Sequence, residues 1–237
     1  MNTNLLSVIF PLYNEEGNLQ ILVEELRSVL RGAGLEFEII AVDDGSTDGS
    51  AAELRRVAAA YPELRVVTLH EKSGQTAAIH AGLLASSGDL VALLDADLQN
   101  DPADIPRLLE HLVETDSGMV AGVRVNRQDA FSKRLQSKIG NTVRNWITGD
   151  RITDTGCSLK VARRECLERI RWSNGMHRFL PTLIRIEGYE VVEMAVNHRP
   201  RRYGRSKYGA WNRAFRGLMD CFAVRRISRS GRQKPLG

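Results

Sequence analysis

The sequence predicts an α/β fold, with a mostly parallel central sheet flanked by helices, on three observations. Short apolar runs alternate with helical patterns through the first half of the chain, as right-handed βαβ units require. Three polar clusters, Tyr13-Asn14-Glu15, Asp43-Asp44-Gly45-Ser46 and Asp95-Ala96-Asp97, each follow one of those runs. The chain has 237 residues, 43% hydrophobic and 26% charged, which suffices for one large domain of this kind.

The elements follow in order. "LLSVIFPLY" reads as a strand and "NLQILVEELRSVLRGAG" as an amphipathic helix closed by Gly32 and Gly34. "FEIIAVDD" is a second strand, and "STDGSAAELRRVAAAYP" a helix with Ser or Asp caps near its start. "LRVVTLH" is the third strand, "GQTAAIHAGLLASSG" a helix of small residues ending at Gly88, and "DLVALLDAD" the fourth strand. The second half is less regular. "GMVAGVRV", "TGCSLKVAR" and "YEVVEMAVNHRP" suggest strands; "RRECLERI" and "MHRFLPTLIRI" read as helices, and "FSKRLQSKIGNTVRNWITG" as a basic helix. Ligands of parallel sheets sit beyond the carboxyl ends of the strands, so the three polar clusters are expected on one rim.

Charge divides the chain unevenly. From Arg199 onward there are 12 Lys and Arg residues against the single acid Asp220, whereas the remainder holds 21 basic and 28 acidic residues. An acidic body with a basic tail implies an anionic partner at the C-terminal end: nucleic acid, phosphate or anionic lipid. No apolar run approaches the roughly 20 residues of a membrane span, and the N-terminus has no basic segment of a signal peptide. Cys157, Cys166 and Cys221 are odd in number and widely spaced, which favours reduced, buried thiols of a cytosolic protein. The five histidines show no ligand spacing, which disfavours a zinc site. No Walker loop or Gly-x-Gly-x-x-Gly fingerprint is present.

The chemistry centres on "LVALLDADLQNDP". Asp95 and Asp97, one residue apart on an extended segment, project to the same side. At a strand end they can share a hard divalent cation with water and substrate phosphates. Gln99 offers a neutral oxygen one step further on. Asp101, ahead of Pro102, reads as the cap of the next helix, with Asn100 as the alternative. In "VDDGSTDG", Asp43 and Asp44 precede a tight turn into a helix, where carboxylates can accept from a base or ribose hydroxyl.

"PLYNEEGNL", "VDDGSTDGS", "GQTAAIHAGL" and "DADLQNDP", in that order and spacing, resemble glycosyltransferase family 2 with the GT-A fold, a Rossmann-like arrangement. Within it the chain is most similar to the polyprenyl- and dolichyl-phosphate sugar synthases, over roughly residues 5–209. The resemblance implies inverting transfer of a hexose from a UDP- or GDP-linked donor, with Mg²⁺ or Mn²⁺. It implies Pro11, Tyr13, Asn14, Glu15, Asp43, Asp44 and Gln75 on the nucleotide side, and Asp95, Asp97 and Gln99 at the metal. Arg124, Lys133, Arg134 and Ser137 resemble the acceptor-phosphate segment, with a solvated basic face the alternative for Arg127 and Lys138. "RPRRYGRSKY" resembles the family's basic loop, with Arg201, Ser206 and Lys207 as its candidate residues for the diphosphate. Relatives commonly carry two consecutive prolines where this chain has Asn100-Asp101-Pro102.

Two domains are expected: a catalytic domain over residues 1–209 and a basic amphipathic tail over residues 210–237. Trp211, Phe215, Leu218, Met219 and Phe222 recur at helical spacing, for a helix either packed on the domain or lying on an anionic membrane. Relatives often continue here into transmembrane helices. Without one, a peripheral position on the cytoplasmic face, or a separate membrane partner, is expected. Asp154 in "TDTGCSLK" reads as a turn residue, with a place at the site as the alternative. The basic tail and the Arg/Lys helix favour a lipid phosphate as acceptor, whose oxygen is already anionic and scarcely needs a general base. A saccharide hydroxyl in cell-envelope polysaccharide synthesis is the alternative, and it would want a carboxylate base that the second half does not display. Nucleic acid is not an expected partner, since no recognition helix or stacking platform accompanies the basic residues.

Overall fold

Alternation of apolar side chains along the first strand divides the molecule into two faces. A computed structural model describes residues 5–125, 142, 144–200 and 220–227. In strand β1 (Leu6–Leu12), Leu6, Val8 and Phe10 enter one core and Ile9 enters the other. The remaining strands are β2 (Phe37–Asp43), β3 (Leu64–Thr68), β4 (Leu90–Leu93), β5 (Met119–Arg124), β6 (Lys160–Arg163) and β7 (Val191–Val196). They form one sheet in the order β3-β2-β1-β4-β6-β5-β7. Only β6 runs antiparallel to its neighbours β4 and β5, so the sheet is mostly parallel as expected.

Helices α1 (Leu19–Gly32), α2 (Ser50–Ala60) and α4 (Ile105–Glu114) supply the first core. α1 buries Leu19, Leu22, Val23, Leu26 and Leu30, a helical period, each contributing ~1.5–3 kcal/mol of burial. Helices α3 (Gln75–Ala85), α5 (Arg164–Glu168) and α6 (Leu180–Ile186) supply the second. α3 sits close on the sheet because Gly82 lacks a side chain: a Cβ there would lie 2.4 Å from Ile9 Cγ2. Helical residues 144–148 and 220–227 join this face, with Ile147, Cys221 and Val224 buried and Trp146 and Phe222 exposed. Residues 220–227 thus pack on the domain; the expected boundary at residues 209/210 lies outside the described residues.

Two details differ from expectation. β4 is shorter than "DLVALLDAD", ending at Leu93, because the chain turns to present Asp95 and Asp97. Its N-cap residue Gly49 gives α2 no side-chain cap; Asp48 Oδ1 instead accepts from the Ser50 N–H at 2.9 Å. The strand order reverses between β1 and β4, since β2 and β3 lie to one side and β4 to the other. Crevices at such a reversal, outside the carboxyl ends of the strands, are where α/β sheets bind ligands.

Candidate active site

At the ends of β1 and β2 the backbone is tied into a fixed rim. Asn14, with φ +54, donates its backbone N–H to Ser46 Oγ at 2.9 Å. Its Oδ1 accepts from the Thr47 N–H at 2.8 Å, and the Glu15 N–H reaches Ser50 Oγ at 2.9 Å. Asp43 accepts from the Ser46 N–H at 2.9 Å, closing the turn after β2. Asp44 accepts from the N–H groups of Ser73 (2.7 Å) and Gly74 (3.0 Å), so it holds the loop entering α3. The Lys72 ammonium stands 3.5 Å from the Tyr13 ring centroid, a cation–π contact at the mouth of this rim. Glu15 Oε2 accepts from Asn18 Nδ2 at 2.6 Å, and Pro11 lies within β1. The nucleotide-side residues therefore gather at two adjacent strand ends, with the Asn14 and Asp44 side chains engaged in holding loops.

Beside that rim, Asp95, Asp97, Gln99, Asn100, Arg124, Gly156, Ser158 and His198 line a small pocket. Asp95 Oδ1 accepts from Gln75 Nε2 at 2.8 Å, which places Gln75 behind the carboxylate pair. Asn100 Oδ1 accepts from the Asp95 N–H (3.2 Å) and from Ser158 Oγ (2.8 Å), locking the loop to the strand-entry segment opposite. Asp97 Oδ1 accepts from the Gln99 N–H at 3.1 Å. Between them Leu98 takes φ +61, a left-handed conformation costing ~1–3 kcal/mol for such a residue, with its side chain buried in the core. The loop that carries the carboxylates is thus strained and anchored. Asp101 caps the next turn by accepting from the Ala103 N–H at 3.0 Å, with Pro102 behind it, as its local spacing indicates.

Burial first, then the neighbouring Asp97 carboxylate, pushes the Asp95 carboxyl above its ordinary value. Two acids held together in this way, with an amide oxygen of Gln99 on the same wall, suit a hard divalent cation that would offset their repulsion. Among the described residues no group of three or more His, Cys, Asp or Glu side chains gathers around a single point. Two carboxylates completed by substrate oxygens match the habit of Mg²⁺-type sites better than a closed protein cage.

Arg124 lines the same pocket. Its Nε and Nη2 donate to the two Asp154 oxygens, each at 2.8 Å, and the Arg124 N–H reaches Asp154 Oδ2 at 3.2 Å. Glu193 secures the segment in turn, accepting from the N–H groups of Thr153 (2.8 Å) and Asp154 (3.3 Å). Asp154 therefore stands at the site as the residue that orients Arg124. The chain leaving β7 also crosses the pocket: Asn100 and His198 form a β-bridge, and the Arg199 N–H donates to Gln99 O at 2.9 Å. Arg199 pairs with Glu25 (2.6 Å) and Asp101 (2.7 Å).

Of the candidate residues, Asp95, Asp97, Gln99 and Arg124 share the pocket and Gln75 supports it. Lys133, Arg134, Arg201, Ser206 and Lys207 lie outside the described residues. Sequence reasoning missed Asn100, Ser158 and His198 as pocket residues. Ser158 comes there through the pairing of β6 beside β4, and Asn100 and His198 through their bridge, neither of which a local pattern reveals.

The comparisons with known proteins agree on one family. Residues 7–171 match the model of glycosyl transferase family 2. A dodecaprenyl-phosphate galacturonate synthase from Rhizobium johnstonii is 38% identical over 223 residues, 92% of this chain and 66% of that protein. An undecaprenyl-phosphate 4-deoxy-4-formamido-L-arabinose transferase from Pectobacterium carotovorum is 40% identical over 204 residues, 85% and 62% of the two chains. The chain thus spans less than two thirds of the length of these curated relatives. Among solved structures, a mannosyltransferase from Pyrobaculum calidifontis in complex with GDP-Man and Mn²⁺ superposes with a TM-score of 0.69 at 22% identity, covering 97% of this chain and 65% of that one. A glucosyl-3-phosphoglycerate synthase from Mycobacterium tuberculosis in complex with UDP gives 0.70 at 21% identity, covering 93% and 80%. At those identities the likeness is one of fold, the GT-A arrangement.

Proposed function

This chain belongs to glycosyltransferase family 2, and from that premise we propose that it moves a hexose from a UDP- or GDP-linked donor to a polyprenyl phosphate, with inversion at the anomeric carbon. The observation that carries the reading is the pocket that Asp95 and Asp97 share with an Arg124 clamped by Asp154. An acidic wall for a divalent cation and a fixed guanidinium together suit a substrate pair rich in phosphate. The names of the 38–40% identical relatives, both polyprenyl-phosphate sugar transferases, support the acceptor.

The chemistry asks little of the protein as a base. An acceptor phosphate oxygen is anionic at neutral pH, so it attacks the anomeric carbon directly as the bond to the nucleoside diphosphate breaks. When bound, Mg²⁺ or Mn²⁺ held by Asp95, Asp97 and Gln99 supplies charge stabilisation to the leaving diphosphate. Arg124 contributes a planar guanidinium that Asp154 and Glu193 prevent from wandering, so its position needs no reorganisation during the reaction. The rim from Tyr13 to Asp44 takes the nucleoside side. Lys133, Arg134, Arg201, Ser206 and Lys207 complete the phosphate contacts in this reading.

We place the enzyme peripherally on the cytoplasmic face of the membrane. Among the described residues no helix is long and apolar enough to cross a bilayer. Trp146 is 80% exposed and Phe222 51%, with Arg225 and Arg226 following the latter. Aromatic side chains beside basic ones suit an anionic lipid surface. Flotation with anionic but not neutral vesicles, lost in the Trp146→Ala/Phe222→Ala variant, is the expected result; equal flotation of that variant removes these two residues from the contact.

One observation favours a second reading, a saccharide hydroxyl as acceptor. His198 lines the pocket and could serve as a base for a hydroxyl. The two readings separate when the purified chain is incubated with Mn²⁺, a panel of radiolabelled nucleotide sugars, undecaprenyl or dolichyl phosphate, and oligosaccharides. Label moving into the organic phase supports the lipid phosphate and identifies the donor. Label moving only into water-soluble saccharide refutes it.

A further inference from the structure

Lys160 is buried at 3% exposure. In the antiparallel pairing of β4 and β6 it lies directly opposite Leu93. Cross-strand partners share a face, so Lys160 lies on the side of Leu93, the side that α3 covers. Beyond the strand end, the hydrogen bond from Gln75 of α3 holds the Asp95 side chain on that side too. The Lys160 ammonium donates to the Cys157 carbonyl. Burial, first, holds the Lys160 amine below its ordinary value; Cys157, Asp95 and Asp154 act to keep its charge, and Arg124 opposes it. Lys160 thus sits electrostatically between the metal-binding wall and the Arg124 clamp.

A buried ammonium costs several kcal/mol of lost hydration unless nearby charge offsets it. A methionine in this place would fill the same space at no such cost, so packing does not account for a lysine. We infer that Lys160 is a positioning residue that acts through Asp95: its fixed charge restrains the carboxylate pair when no substrate is bound and weakens the affinity of the free enzyme for divalent cations. The inference rests on the metal-dependent reading above. A donor diphosphate would then supply the attraction that Lys160 cancels, so the carboxylate pair would hold a divalent cation more tightly with nucleotide present than without it.

The test measures Mn²⁺ binding to the full chain by calorimetry or manganese spin resonance, without acceptor. Without nucleotide, Lys160→Met should bind Mn²⁺ about tenfold or more tightly than wild type, because one unit of opposing charge is gone from a low-dielectric wall. Lys160→Arg should match wild type. With UDP or GDP present, wild type should gain affinity far more than Lys160→Met does. Damage to the fold lowers metal affinity, so a gain cannot come from a merely structural role. Should Lys160→Met not fold, Lys160→Gln serves the same comparison. Equal or weaker Mn²⁺ binding by a folded neutral variant overturns the inference while leaving the metal reading intact. Absence of Mn²⁺ binding by wild type even with nucleotide overturns the metal reading, and this inference with it.

Discussion

Replacing Asp154 with alanine removes both oxygens that hold the Arg124 guanidinium at 2.8 Å. It also removes the acceptor of the Arg124 N–H at 3.2 Å and of the Gly156 N–H at 3.1 Å. The paired side chains are 15% and 7% exposed, so water does little to replace the lost partner. Breaking a buried ion pair from one side costs ~3–5 kcal/mol, against a total stability of ~5–15 kcal/mol for a domain. With a urea m-value of about 2.5 kcal/mol/M, the unfolding midpoint should fall by about 1–2 M. The double variant Arg124→Met/Asp154→Leu removes both charges and should regain most of that stability, since apolar replacement of a buried pair is often neutral. Sugar transfer should fall in both variants and should not return in the double one. A loss below ~1 kcal/mol in Asp154→Ala, or a double variant as unstable as the single one, would refute the clamp.

Three further outcomes are expected. Asp97→Ala should lower transfer by ~10²-fold or more while shifting the melting transition little, because Asp97 is placed by its loop and not by the core; wild-type turnover in that variant removes it from the metal site. Gly82→Ala should destabilise by ~1–3 kcal/mol, because the new Cβ meets Ile9 Cγ2 at 2.4 Å and Val42 Cγ2 at 3.0 Å; an unchanged urea midpoint would show that α3 is free to shift. His177 is held neutral by burial, and then by the charges of Arg178 and Lys160, with its pKa lowered from 6.5 to about 3. The unfolded chain takes up a proton near pH 6.5 that the folded protein refuses, so stability is full above that pH and should decline by ~2 kcal/mol by pH 5. His177→Gln should flatten the urea midpoint across that window, and a slope identical to wild type would contradict the assignment.

Local features were legible in the sequence because they depend on residues a few positions apart. The apolar runs of β1 to β4, the spacing of Leu19 to Leu30 in α1, and the Asp101 cap with Pro102 all required nothing beyond neighbours in the chain. Asp95 and Asp97 were legible for the same reason: they stand one residue apart just after an apolar run. The rest depends on strand order. That β6 inserts antiparallel between β4 and β5 follows from no local pattern, and it alone brings Asp154, Ser158 and Lys160 to the carboxylates. Asn100 and His198 meet through a bridge between segments almost a hundred residues apart. Asp44 shows the converse. Its position at a strand end is plain in the sequence, whereas the Ser73 and Gly74 N–H groups that it holds come from another loop.

The central claim is that the acceptor is a phosphate whose oxygen is already charged, so the site needs no base. Transfer rates with polyprenyl phosphate and with the corresponding polyprenol, each in Mn²⁺ with the active donor, test it most directly. Transfer to the phosphate alone, with the polyprenol inert, is the predicted result. Transfer to the polyprenol at a comparable rate would contradict it, because a neutral hydroxyl reacts only where a base removes its proton.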